Sequence, residues 1–317
     1  MNRLTSTEHS EITMANIIAT GFNAGSTDGE IESLEAELRA LAEMGVDTVE
    51  LGLTTLDVIA GGRIIKDRAE RLVAMTRKFN FRYTVHGLVS SNFMDPVTCR
   101  YQIDAAKALV ELCDRVEARI LVQHGGCLRA DQIFDRPAAD LREREALLEL
   151  AEFAKPYGVR IALENIFTTE PGQYRQTPAE VAETVKAVNH PNVVALIDFS
   201  HAYIEATYRG LNLREQIAAM APVAGHLHLH DSFGRPQGFY KGFHLQENTA
   251  MGIGDLHMPL GWGDIDWEDI FRELEFLPGT VAMMEIGRRY RAEQPESLQY
   301  ARRLIAVNGS NSTIAAE

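Results

Sequence analysis

Eight short apolar runs rich in β-branched residues recur along the chain, separated by longer stretches of helical period, and this alternation limits the folds open to it. The runs are Asn16–Phe22, Thr48–Leu53, Arg82–Gly87, Arg119–His124, Arg160–Ile166, Val193–Phe199, Gly225–His230 and Thr280–Ile286. Between and after them lie amphipathic stretches at Ile31–Met44, Asp67–Phe79, Pro96–Glu117, Leu141–Tyr157, Pro178–Val188, Leu213–Met220, Trp267–Leu274 and Pro295–Val307. Gly45 and Gly158 read as helix stops, and Thr177 before Pro178 as a helix start. Strands that alternate with helices form parallel sheets, and eight such units predict an α/β fold, a single-domain (β/α)8 barrel. The barrel is expected over 15–307, with a flexible N-terminal segment at 1–14 and a flexible C-terminal tail at 308–317. A long loop over 232–266, carrying Phe233, Phe239, Tyr240, Phe243 and Trp262, is expected to cover the catalytic face.

Charge narrows the partners. With 45 acidic against 31 basic residues the net charge is -14, a repulsive average field for a polyanion, so nucleic acid is disfavoured. Cys99, Cys113 and Cys127 show no CxxC spacing and read as free thiols in a reducing compartment. Met1–Met14 lacks the apolar core of a signal peptide, and no apolar run approaches a membrane span. The expectation is a cytoplasmic protein without membrane contact.

Residues able to bind a metal recur where the strands end: His86, His124, Glu164, Asp198 with His201, His228 with His230, and Glu285. In a parallel barrel all those ends open onto one face, so residues distant in sequence converge there. Glu164 closes Ile161-Ala162-Leu163 and Asp198 closes Ala195-Leu196-Ile197, and an unpaired carboxylate at the end of an apolar strand is costly to bury. A divalent cation between such acids removes both the burial cost and their repulsion. In Gly225-His226-Leu227-His228-Leu229-His230, period-2 alternation turns the leucines to the helices and the histidines to the barrel axis. His228 is the natural ligand, and His226, deeper, a hydrogen-bonded supporting residue; the role of His230 stays open. His9 and His190 read as surface residues. Asp255 and His257, two apart on extended backbone in the long loop, can reach one ion. Oxygen and nitrogen donors without thiolate fit Mn, Co, Zn, Fe or Mg.

These residues resemble the xylose isomerase-like TIM barrel superfamily, which holds sugar isomerases and epimerases together with the endonuclease IV type of AP endonuclease. Glu164 in Leu-Glu-Asn, Asp198 in Ile-Asp-Phe-Ser-His, His228 in Gly-His-Leu-His and Glu285 in Met-Glu-Ile resemble the one-metal site of the ketose 3-epimerases and hydroxypyruvate isomerases. His86, His124, His201, Asp255 and His257 resemble the additional ligands of the trinuclear zinc site of the AP endonucleases. The resemblance implies a divalent cofactor (Mn, Co, Mg or Zn), one ion in the sugar enzymes and up to three in the nucleases. It implies that Glu164 and Glu285 also move protons, that His201, Arg235 and His86 orient a small sugar, and that the chain forms a homo-oligomer. The activity so implied is sugar isomerisation or epimerisation through an enediolate-type intermediate, or the related keto-sugar elimination. The alternative is phosphodiester hydrolysis by a multinuclear site; against it, Thr54–Lys66 and Leu88–Pro96 lack the basic and aromatic residues that grip a phosphate backbone.

Overall fold

A computed structural model describes residues 16–237 and 244–314. Eight parallel strands close into one barrel in chain order: Ile17–Ala24 (β1), Thr48–Gly52 (β2), Arg82–His86 (β3), Ile120–His124 (β4), Arg160–Glu164 (β5), Val193–Asp198 (β6), Ala224–Leu229 (β7) and Thr280–Met284 (β8). The β8 strand pairs with β1 to complete the ring, Thr280 opposite Ile17 and Met284 opposite Phe22. The expected (β/α)8 architecture is therefore the one observed, with every expected strand in place to within a residue or two at its ends.

Alternation along the strands builds two apolar layers. Ala19, Ile120, Val122, Ala162, Val194, Leu196, Val281 and Met283 pack together inside the barrel. Residues of the opposite parity, among them Leu121, Ile161, Leu163, Ile197, Leu227, Leu229 and Ala282, pack outward with the helices. The same parity decides which way the polar residues at the strand ends face: Glu164 continues the inward series of Ala162, Asp198 that of Val194 and Leu196, and Glu285 that of Val281 and Met283.

The surrounding helices are Ile31–Glu43 (α1), Lys66–Thr76 (α2), Cys99–Arg115 (α3), Arg136–Ala154 (α4), Pro178–Val188 (α5), Phe199–Arg209 (α6), Leu213–Met220 (α7), Leu245–Met251 (α8), Trp267–Glu273 (α9) and Gln294–Ile314 (α10). Helix α5 starts as its sequence predicts: the Thr177 hydroxyl accepts from Glu180 N, the Glu180 carboxylate accepts from Thr177 N, and Pro178 occupies the first turn. Among the described residues no helix is long and apolar enough to cross a membrane.

Four expectations need correction or qualification. Helix α6 was not anticipated, because β6 runs into it without a linker; Asp198 ends the strand and caps the helix, its carboxylate accepting from His201 N at 2.7 Å. The last helix continues through 308–314, within the expected flexible tail. Asn308 is buried there, and its amide donates to Phe271 O at 2.9 Å and Leu274 O at 2.7 Å, tying α10 to the end of α9. His190 is buried rather than a surface residue: Nε2 sits 3.1 Å from Glu152 Oε1, and Nδ1 accepts from Asn192 N. The 232–266 segment contains α8 and is tied back by bridges Asp231–Met258 and Arg235–Ile253. The expected flexible segment 1–14, with His9, and the aromatics Phe239, Tyr240 and Phe243 lie outside the described residues.

Candidate metal centre at the barrel mouth

The strand ends and the loop after β7 bring ten donor residues to one mouth, and they fall into contiguous groups. Glu164, at the end of β5, is almost fully buried and stands at the middle of them. Its Oε2 lies 3.3 Å from His124 Nε2 and 3.8 Å from His86 Nε2, on β4 and β3. Its Oε1 lies 3.3 Å from His201 Nδ1 and 3.5 Å from His228 Nδ1. His228 Nδ1 in turn lies 3.4 Å from Glu285 Oε2, so one imidazole nitrogen stands between the two glutamates. Asp198 completes a buried group with Glu164 and His228.

A further group forms around the loop residue Asp255. Its carboxylate lies 2.8 Å from His257 Nε2, 3.5 Å from His201 Nε2 and 3.8 Å from His230 Nδ1. His257 stacks on His230 with ring centroids 4.1 Å apart, and its Nδ1 donates to Glu285 O at 2.6 Å. The backbone of His257 is left-handed, with φ 47°, rather than extended as its sequence suggested. A β-branched residue would be strained there, and such strain is commonly held at functional sites.

Whether these groups fit a cation can be tested on their unsatisfied atoms. Glu164 Oε2, His228 Nδ1, His230 Nδ1 and Asp255 Oδ1 are buried and have no hydrogen-bond partner among the described residues. Buried polar atoms are rarely left so, and four converging on one mouth with the donor types of a hard or borderline divalent ion fit such a ion. Charge agrees: burial works against ionisation, yet the neighbouring His228 and His201 hold Glu164 well below the usual carboxylate range, and Asp198 is also lowered, by His201 and His230 against the same burial. Burial takes His124 down to about 3, leaving it neutral, the form that ligates. The carboxylates overcome burial to raise His201 and His228, and Asp255 raises His257 to about 10. Ligation at those nitrogens therefore releases protons, and cation affinity is expected to fall with falling pH.

One residue of this network was missed from the sequence. Glu50, in the middle of β2, is fully buried and receives two histidines of β7: Oε2 is 2.7 Å from His226 Nε2 and Oε1 is 3.0 Å from His228 Nε2. Thr84 Oγ1 donates to Oε2 at 2.9 Å. A carboxylate behind an imidazole fixes its tautomer and aim, leaving the other nitrogen of His228 toward Glu164 and Glu285. His226 is buried and hydrogen-bonded, as expected.

Arg235 is not brought to the mouth. Its guanidinium donates to Met251 O at 2.5 Å and lies over the Phe233 ring, away from the donor groups. The mouth is instead lined by Val89, Ile166, Phe167, Thr169 and Arg175 around a cavity of about 360 Å³ that reaches His86, His124, Glu164, His201, Asp255, His257 and Glu285. A second lobe of 300 Å³ opens from His86, Val89, His257 and Glu285 toward Asn23, Thr54 and Arg288.

The loop that follows β4 is anchored by a buried acid. Glu143 on α4 accepts from Gly126 N at 2.7 Å, and a Cβ on Gly126 would come within 2.8 Å of that carboxylate and 2.5 Å of Met94. Burial pushes Glu143 up to about 7 from 4.5, with the Gly126 N–H opposing the shift. The folded chain then holds this proton more tightly than the unfolded one, so stability falls as pH rises from about 4.5 to about 7. Glu143→Gln keeps the acceptor for Gly126 and is expected to flatten that slope, with a gain of about 2 kcal/mol at pH 8 in urea unfolding. Equal slopes in the two proteins would show that Glu143 does not carry it.

A family model described as xylose isomerase-like TIM barrel matches residues 38–306. No curated protein matches. Among solved structures, a D-tagatose 3-epimerase-like protein superposes with TM-score 0.68 at 17% identity, covering 92% of this chain and 98% of its own. D-psicose 3-epimerase from Clostridium cellulolyticum H10, solved with D-tagatose, gives 0.63 at 16%, covering 91% and 99%. The IOLI protein with a bound zinc atom gives 0.65 at 21%, covering 93% and 99%. At these identities the likeness is one of fold.

Proposed function

Because the chain belongs to the xylose isomerase-like TIM barrel family, we propose that it is a divalent-metal-dependent isomerase or epimerase of a small sugar. The observation that carries this reading is the placement of Glu164 and Glu285 on either side of His228 Nδ1, at 3.5 Å and 3.4 Å, beneath a cavity of monosaccharide size. The epimerases among the structural neighbours support it. A divalent cation held by Glu164, Asp198, His228 and Glu285 supplies Lewis acidity toward adjacent carbonyl and hydroxyl oxygens of the sugar.

The chain's own residues do the proton work. Glu164 is held ionised by its histidine neighbours and stands ready to accept the proton on the carbon beside the carbonyl. Glu285, from the far side of His228, returns or relays a proton, and Asn23 Nδ2 lies 3.5 Å from its Oε1 as a steadying donor. Returning the proton to the opposite face inverts the carbon, and returning it to the neighbouring carbon isomerises the sugar. Loss of a leaving group from the same carbanion is elimination, so a keto-sugar lyase belongs to this class. Ile166 and Phe167, both mostly buried, wall the mouth and limit water around the reacting carbon.

The test is exchange of the substrate's carbon-bound proton with heavy water, using D-tagatose, D-psicose and D-fructose with Mn, Co, Mg or Zn restored. Deuterium is expected beside the carbonyl, and chelation is expected to stop its uptake. No uptake with any of these metals, from these ketoses or from D-fructuronate or D-fructose 6-phosphate, would overturn the reading. A second reading, multinuclear phosphodiester hydrolysis, is favoured by one observation: His201, His230, Asp255 and His257 form a donor group beyond what a single-ion cage needs. Three ions per chain by elemental analysis together with nicking of abasic DNA would put it first.

A further inference from the structure

The mouth holds an arginine, Arg175, that feels Glu205 and Glu143 but is paired with neither. Arg175 sits on a two-residue strand, Tyr174–Arg175, pinned antiparallel to Cys127–Leu128, so the loops after β4 and β5 hold it in place. Its Nη1 donates to Gly125 O at 3.0 Å, and its backbone carbonyl accepts from Arg209 Nη2. Its Nε is buried without a hydrogen-bond partner, and among the described residues Arg175 forms no ion pair.

Of the nearby acids, Glu205 is occupied, and burial raises Glu143 to about 7, so it offers Arg175 less than a full charge. Glu205 accepts from Thr168 N at 2.7 Å, from Thr168 Oγ1 at 3.2 Å and from Arg209 Nε at 2.8 Å. Glu143 accepts from Gly126 N. The carboxylates of the mouth are engaged with histidines. Nε and Nη2 form the edge of a guanidinium that meets two oxygens of one anion side by side, and on Arg175 neither donates to another of the described residues. A largely buried arginine without a paired counter-charge is costly, and the cost is offset when a ligand brings one. Arg175 lines the same 360 Å³ cavity as His124, Glu164 and His201, so that ligand is whatever lies over the donor groups.

We propose that Arg175 receives an anionic group of the substrate, a carboxylate or a phosphate ester, and that the enzyme therefore handles an acidic sugar rather than a neutral one. This rests on the sugar-enzyme reading above and narrows its substrate class. Arg175 is a specificity-determining residue in that reading and takes no part in proton transfer.

The test compares D-fructose, D-fructuronate and D-fructose 6-phosphate by calorimetric binding and by deuterium exchange, on the metal-reconstituted protein and on Arg175→Met and Arg175→Lys. The wild type is expected to bind one of the two anionic sugars about 10- to 100-fold more tightly than fructose, as a charge-assisted pair would give. The tighter of the two identifies carboxylate or phosphate as the source. Arg175→Met is expected to erase that preference while leaving fructose binding and ion content within about twofold, and Arg175→Lys to retain part of it. Equal binding of all three sugars by the wild type, or a preference that survives in Arg175→Met, overturns the proposal. If Arg175→Met does not fold, the wild-type preference and its weakening in Arg175→Lys decide. The two readings fail separately: exchange of fructose without anion preference removes the anion site alone. A preference lost in Arg175→Met without exchange of any sugar removes the isomerase reading alone.

Discussion

Glu164→Gln is expected to slow deuterium exchange at the sugar carbon by about 10³-fold, the middle of the range for removal of a general base. Glutamine matches the shape of the buried side chain but cannot accept the proton. The same change removes the charge that faces His86, His124, His201 and His228, so cation affinity is expected to fall as well. The two effects separate by measuring exchange at saturating metal, with ion content determined on the same sample. A loss in exchange that persists when the ion is fully restored assigns the proton step to Glu164. Full turnover by a variant that holds its metal would remove Glu164 from that role, and with it the symmetry of the two glutamates about His228. Because His201 and His228 are raised partly by this carboxylate, against burial, their protonation in the variant is expected to end at lower pH than in the wild type.

How much of this was readable from sequence depends on whether the signal was local. Strand parity is local, so the inward aim of Glu164 and Asp198 could be read from apolar neighbours two residues back, and that of His228 from the outward leucines on either side of it. The capping box at Thr177 and Glu180 is local too. Glu50 carried the same parity signal, an acid between Val49 and Leu51 in an apolar run, but it lies in the middle of its strand rather than at the end. Its partners His226 and His228 come from β7, 176 and 178 residues away, and nothing near Glu50 announces them. Arg235 misled for the opposite reason: its place in the sequence after His228 suggested the mouth, while the fold of the loop carries it to Met251 O. Arg175 belongs to a ladder of two residue pairs between loops, too short for periodicity to mark. Helix α6 escaped because the residue that ends the strand is also the one that caps the helix.

Glu50 is where the barrel's interior and its chemistry are coupled, and Glu50→Gln is expected to disturb both. An amide in its place accepts at one atom only, so it cannot take N–H groups from both His226 and His228. Removing the partner of an imidazole that supports a metal ligand typically weakens metal affinity about 10- to 100-fold. Breaking a buried charged network from one side costs about 3–5 kcal/mol. Burial opposes ionisation of Glu50, but His228 and His226 overcome it and hold its acidity well below the ordinary range. A depressed folded value means that the carboxylate's contribution is present above the unfolded value of about 4.5 and fades as pH falls toward the folded one. The gap in stability between wild type and Glu50→Gln is therefore expected to be largest near neutrality and to narrow in acid. Urea unfolding at pH 7 and pH 4 measures that gap, and competition with a chelator of known strength measures the affinity. Thr84→Val, which removes only the hydroxyl donated to Glu50, is expected to move both in the same direction by about 1 kcal/mol. A Glu50→Gln protein with unchanged metal affinity would show that His228 is aimed by strand packing alone, and the carboxylate would then be a counter-charge rather than a positioning residue.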